Sequence, residues 1–339
     1  MRKARAIASG DGYYHVVNRI SGRRMLLSPH WKGRLLHHVR AAADFSGAEI
    51  LTHAMMGNHF HLLVHVPGKR EVDDAELVRR MAAIYAPRKL ERILADWERW
   101  GTDPASAWKV AEAKARLRAR TYSLPQFVKT FSERFTEEFN RETGNTGSPW
   151  GQRFKSVLVE RDSRALLPMA AYIDTNPLRA GVVADPAKCR WTGFGAAVAG
   201  DARSRAGIVK LMGIVAGNPR MEWSEAAAAY ATVLDGRAGQ ATKNGDRPRK
   251  EALRGDAPNG DRPRNGEEEG PAMEAEGTEA QTVAEMVRER VPQFTAGRAI
   301  GCAAFVAPFS GIRSRSKAPF PIRCAEVAGI GTAARVLCR

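Results

Sequence analysis

The chain has 339 residues with 53 Lys or Arg against 37 Asp or Glu, giving a formal net charge of +16 and a pI near 10.1. That length supports a sizeable core and up to two domains, and that charge points to a polyanionic partner. Cys189, Cys302, Cys324 and Cys338 show neither a CxxC nor a metal-finger spacing. No run approaches the roughly eighteen apolar residues of a membrane span, and no apolar stretch follows the basic N-terminus. A disulfide scaffold, a zinc finger, a membrane protein and a secreted protein are therefore disfavoured. The expectation is a cytoplasmic protein with reduced thiols.

In chain order, Tyr13 to Arg19 alternates in a β-rich composition and predicts a first strand. Ser28-Pro29 opens a helix with Trp31, Leu35, Leu36, Val39 and Ala42 at helical spacing. Ile50 to Met56 and His59 to Val66 predict two further strands, joined by the turn signal Gly57-Asn58. Residues 73–122 are mostly charged and helix-forming, and read as a helical insertion. The next helix starts at Ser123 with Pro125 in its first turn, and carries Phe127, Phe131, Phe135 and Phe139 every four residues as a core stripe. A glycine-containing loop over 143–150 leads into Gln152-Arg153-Phe154. Asp162 or Ser163 caps a helix bearing Tyr172, and Asn176-Pro177 ends it.

The order β-α-β-β followed by helices predicts an α+β fold of ferredoxin-like (RRM-like) type, an antiparallel sheet with helices on one face and the other face open. The expected domain spans residues 1–200, with a helical extension over 201–235. Residues 236–284 hold eight basic and ten acidic residues, almost no aromatics, and the hexamer Asn-Gly-Asp-Arg-Pro-Arg at Asn244 and again at Asn259. They read as a disordered low-complexity linker. The basic excess thus sits in the parts expected to fold, as phosphate binding requires. Residues 285–339 have no assignable fold, although Val283 to Arg290 is helix-like and Phe294 to Cys302 suggests a hairpin.

His59 and His61 stand two apart on a strand, so both point to one face while Phe60, Leu62, Val64 and Val66 fill the other. Two neutral imidazoles on an open face can hold a metal ion. Tyr172 and Asn176, four apart on a helix, share a face one turn apart. An amide oxygen as third ligand and a tyrosine hydroxyl as attacker add up to a phosphodiester-cleaving site. His65 shares the strand face but lies roughly 13 Å along it, too far to join the ion. His15 and His53, on other strands, are candidate outer partners. Arg19, Arg153 and Lys155 are candidates for DNA-backbone contacts, and Trp150 and Tyr14 for stacking unpaired bases. A His-x-His pair alone is usually packing, so the surrounding segments carry the weight.

Four segments supply it. They are Tyr13-Tyr14-His15-Val16-Val17-Asn18-Arg19, Met56-Gly57-Asn58-His59-Phe60-His61-Leu62-Leu63, Gly147-Ser148-Pro149-Trp150-Gly151-Gln152-Arg153-Phe154-Lys155-Ser156, and Tyr172-Ile173-Asp174-Thr175-Asn176-Pro177-Leu178-Arg179-Ala180-Gly181. Their sequence and order resemble the single-tyrosine transposases of the HUH nuclease superfamily, and most of all the REP-associated tyrosine transposases. The likeness covers about residues 10 to 200. Gly57 stands where that family usually has proline. The resemblance implies Tyr172 as nucleophile, Mg²⁺ or Mn²⁺ as cofactor on His59, His61 and Asn176, and a covalent 5′-phosphotyrosine intermediate. It also implies single-stranded or hairpin DNA, such as repetitive extragenic palindromes, as substrate, with the protein a monomer or homodimer. The competing expectations are a catalytically idle DNA-hairpin-binding protein of the same fold and an RRM-type RNA-binding module. The latter lacks the aromatic RNP pattern on its strands.

Overall fold

In the computed structural model, strands form where apolar and polar side chains alternate: β1 (Gly12–Arg19), β2 (Glu49–Met55) and β3 (His59–Val66). The structure describes residues 5–161, 163–241, 299–302 and 305. A fourth strand, β4 (Lys155–Val159), follows the glycine-containing loop, where no strand was expected. The sheet order is β2-β3-β1-β4, antiparallel throughout. The two-residue β5 (Ala299–Ile300) runs parallel to β4 at the edge, so the sheet is mixed. Residues 294–298 of the hairpin expected over Phe294 to Cys302, the helix-like Val283 to Arg290 and residues 242–284 of the linker lie outside the described residues.

On one sheet face lie α1 (Pro29–Ser46) and α5 (Leu124–Thr143). Ser28 Oγ accepts from the Trp31 amide at 3.4 Å, Pro29 occupies the first turn, and Gly47 ends α1 at φ +78°, a left-handed conformation that glycine adopts without a Cβ penalty. Phe127, Phe131, Phe135 and Phe139 are buried against Val16, Phe60, Leu62 and Val64, as the four-residue stripe predicts. Each contributes about 1.5–3 kcal/mol of transfer free energy. Tyr14 and Trp150 join this core, which corrects their reading as stacking platforms. Tyr14 is buried and its hydroxyl accepts from the Ala8 amide, while Trp150 packs on Phe60 and Phe135. The insertion folds as α2 (Asp74–Met81), α3 (Pro87–Thr102) and α4 (Ala107–Arg118), around its own cluster of Leu77, Met81, Trp97 and Tyr122 beside Phe45 of α1.

The expected open second face is covered. Here α6 (Ser163–Asp174), α8 (Gly193–Val198), α9 (Ala202–Ala216) and α10 (Trp223–Ala241) bury Tyr13, Leu51, Ala54, Leu63 and Val159. The physical reason is that this face carries apolar residues (Tyr13, Leu51, Ala54, Leu63 and Val159) that the helices bury. Gly207 permits a close contact: a Cβ there would lie 2.5 Å from the Ile50 carbonyl oxygen, so α9 rides directly on β2. A four-residue helix, α7 (Asn176–Arg179), follows α6 after Thr175, so Asn176 begins a second short helix and does not close the first. Asp162, one of the expected caps of α6, lies outside the described residues. No helix among the described residues is long and apolar enough to cross a membrane.

Candidate active site

Antiparallel pairing of β1 with β3 sets His15 opposite Leu63, Val17 opposite His61 and Arg19 opposite His59, all on the face that carries α6. Lys155 pairs with Val17 and so joins the same face from β4. Arg19 and Lys155 are exposed at this end of the sheet, whereas Arg153 lies in the preceding loop close to Arg5 and has no hydrogen bond to the histidine cluster.

The imidazoles are oriented from behind. Asn58 donates its amide to the Arg23 carbonyl at 2.9 Å, which turns Asn58 Oδ1 toward His59 Nδ1, 2.6 Å away. His59 therefore carries its proton on Nδ1 and keeps the Nε2 lone pair available. Asn176 Nδ2 lies 3.3 Å from His61 Nε2, and His61 Nδ1 lies 2.8 Å from His15 Nε2. With the amide donating to Nε2, the His61 proton sits on Nδ1 and is donated to His15. The rings of His59 and His61 stand 5.0 Å apart at 77°, and those of His15 and His61 stack at 5.1 Å. Burial, and after it the charge of Arg19, pushes His59 down to about 4; burial holds His61 well below the ordinary histidine range. Both are neutral at pH 7, the form that binds metal.

Tyr172 is brought to the same place, with its ring 5.8 Å from His61 and 6.0 Å from His15. The Arg179 guanidinium stands over the Tyr172 ring at 4.7 Å. Tyr172 is only 7 % exposed. The structure thus brings His59, His61, Tyr172 and Asn176 together. It places His15, one of the two expected outer partners, as the acceptor behind His61, and adds one residue that the candidate set lacked, Arg179 beside the tyrosine. Arg179 lies one turn past Thr175 in the quoted Asn-Pro-Leu-Arg segment, which was the available signal for it. His53 is not part of the site: it is buried, and the charges nearest it are Arg40 and Asp201. His65 stacks on Tyr13 and pairs with Glu49, away from the cluster as its distance along β3 requires.

Among the described residues no group of three His, Cys, Asp or Glu could hold a metal ion, so a site here rests on two imidazoles and one amide. The donor set fits a divalent cation: each histidine donates through Nδ1 to a fixed acceptor, the usual backing of a metal-bound imidazole, and presents Nε2.

The family model described as "Transposase IS200 like" matches residues 8–102. Over that stretch, less than a third of its length, the chain is similar to that family. The match takes in β1, β3 and both histidines, and it ends at the last residue of α3, before Tyr172 and Asn176. Among solved structures, a REP-associated tyrosine transposase bound to a REP hairpin is 16% identical, with 59% of this chain and 85% of that chain covered and a TM-score of 0.34. No curated protein matches the chain.

Proposed function

We propose that the chain is a metal-dependent DNA transposase or endonuclease that cleaves and rejoins single-stranded DNA next to hairpins. The observation that carries this is the convergence of Asn176 on His61 at 3.3 Å with Tyr172 on the same imidazole. The family match over residues 8–102 supports the transposase class. His59, His61 and Asn176 would hold Mg²⁺ or Mn²⁺, Asn176 through its amide oxygen after rotation of the side chain. Such an ion, when bound, neutralises the charge of the scissile phosphate. Oxygen-preferring cations are not ideally matched by two imidazoles, and DNA phosphate and water would complete the coordination.

In the chemical step the Tyr172 hydroxyl oxygen attacks phosphorus, loses its proton to solvent, and forms a phosphotyrosyl bond. The bond from phosphorus to the 3′ oxygen breaks, and that oxygen takes up a proton as a free 3′-hydroxyl. A second DNA 3′-hydroxyl can reverse the process, because the bond energy is kept in the phosphotyrosine. Arg179, whose guanidinium stands over the Tyr172 ring at 4.7 Å, would bring positive charge toward the phosphate as the tyrosine attacks. Arg19 and Lys155, exposed on the same face, would contact the DNA backbone, with Arg153 on the adjoining loop.

The burial of Tyr172 favours a second reading, a DNA-hairpin-binding protein that no longer cleaves. A cleavage assay on single-stranded hairpin DNA in Mg²⁺ or Mn²⁺ separates the two. Wild type should cut, and EDTA, His59→Ala or His61→Ala should abolish cutting; Asn176→Ala should weaken it less, since water can replace an amide oxygen. Tight hairpin binding without cutting in any divalent metal would establish the idle binder. Cutting by both histidine variants at the wild-type rate would remove the metal site.

A further inference from the structure

Two residues from both Tyr172 and Asn176 lies a carboxylate with no solvent exposure, Asp174. Residues two apart on a helix point about 200° from one another. Tyr172 and Asn176 therefore face the histidines together while Asp174 faces away, into the packed layer behind. Three elements reach it there. Thr52 Oγ1 of β2 donates to Asp174 Oδ2 at 2.7 Å, and Tyr230 Oη of α10 donates to the same oxygen at 2.8 Å. The Phe194 amide, in the first turn of α8, donates to Oδ1 at 2.9 Å. The hydrogen-bond donors described at Asp174 are two hydroxyls and backbone N–H groups, with the Gly193 amide a weaker partner beside that of Phe194, and no cation is among them.

A carboxylate is a costly choice for that position if only packing were needed, since an apolar side chain of similar size would avoid removing a charge from water. What three directed hydrogen bonds supply is a fixed position and rotation of the backbone at the break between α6 and α7. We propose that Asp174 is a positioning residue, clamped by Thr52, Phe194 and Tyr230, that holds Tyr172 and Asn176 in register with His59 and His61. This rests on the reading of Tyr172 as nucleophile. It gives α8 and α10 a role in the site. It also accounts for Gly193, where a Cβ would lie 2.1 Å from Thr52 Oγ1 and push away one of the donors.

The test uses the full chain and compares wild type with Asp174→Asn, which keeps the size and one acceptor, and with Tyr230→Phe and Thr52→Val, which each delete one donor. Covalent adduct formation on hairpin DNA at saturating DNA and Mn²⁺ should fall about 100-fold in Asp174→Asn, the scale of a small misplacement of reacting groups. Each donor deletion should cost about tenfold. Hairpin affinity should stay within about twofold, because it comes from phosphate contacts. Hydrogen exchange, which needs neither metal nor DNA, should accelerate over amides 172–180 while β1 and β3 keep their protection. Wild-type adduct rates in the folded variants, or faster exchange spread evenly through the core, would overturn the positioning role. Should Asp174→Asn not fold, the two donor deletions carry the same test. If wild type itself forms no adduct, the nucleophile reading has failed, and the exchange pattern still decides whether the clamp exists.

Discussion

Replacing His15 by Phe isolates what the second imidazole layer does for the proposed metal site. Phe keeps a flat ring to stack on His61, now 5.1 Å away, and to meet the edge of Tyr172 at 6.0 Å. It removes the nitrogen that accepts from His61 Nδ1 at 2.8 Å. His15 is completely buried, so water has no route to replace the lost acceptor. A buried N–H left without a partner costs about 1–3 kcal/mol. Loss of such backing partners weakens metal binding about 10- to 100-fold, equivalent to about 1.4–2.7 kcal/mol. Free Mn²⁺ measured by electron paramagnetic resonance during a titration of the protein reads this directly, without cleavage. The Mn²⁺ dissociation constant should rise within that range while metal-free hairpin affinity is unchanged. An unchanged constant in a folded His15→Phe protein would mean that His61 is not a ligand backed by His15, and the tautomer argument would fall with it.

Gly207→Ala would place a methyl carbon 2.5 Å and 2.6 Å from the Ile50 and Leu51 carbonyl oxygens, which are backbone atoms and cannot rotate away. Overpacking of about 1–3 kcal/mol against a helix-propensity gain of about 1 kcal/mol leaves a net loss of about 1 kcal/mol, readable by urea denaturation; a stabilised variant would refute the close contact. Glu49 is held down to about 2, first by its hydrogen bond with His65 and then by Lys210. A depressed carboxylate stabilises the fold above its unfolded value near 4.5, and that contribution is lost as pH falls toward 2. Because the Glu49 side chain is 43% exposed, screening reduces the effect to about 1 kcal/mol. Wild type should therefore exceed Glu49→Gln in stability at pH 6, and the gap should close between pH 4.5 and 2; a gap independent of pH would exclude the ion-pair origin. Arg179→Gln should slow adduct formation about 100-fold, measured in single turnover at saturating DNA, and a wild-type rate would remove Arg179 from the chemistry.

Much of this architecture is legible from residues whose neighbours lie close in sequence. Ser28-Pro29 and Gly47 bound α1, Gly57-Asn58 turns β2 into β3, and alternation over His59 to Val66 puts both imidazoles on one face. The elements that escaped are those formed by distant partners. β4 is five residues long and buried at Val157, Leu158 and Val159, too short for a clear alternation. α9 and α10 fall in the expected helical extension, but that they cover the second sheet face was not legible, because α8 to α10 are rich in Ala and Gly, which pack closely without a strong apolar stripe. His15 gains its meaning only from the β1–β3 register. Asp174 gains its own only from Thr52, 122 residues upstream, and Tyr230, 56 residues downstream. Periodicity showed that Tyr172 and Asn176 share a face, but not that a carboxylate between them is anchored from behind.

The central claim is that the Tyr172 hydroxyl is the nucleophile at a site completed by His59, His61 and Asn176. The most direct measurement is peptide mass spectrometry of the protein after incubation with single-stranded hairpin DNA and Mn²⁺, followed by nuclease digestion. A nucleotide mass on the peptide containing Tyr172 is the predicted result, with no modified peptide in EDTA or in Tyr172→Phe, and with hairpin affinity of that variant within about threefold of wild type because affinity comes from phosphate contacts. An adduct on another residue, or one that persists in Tyr172→Phe, would contradict the assignment.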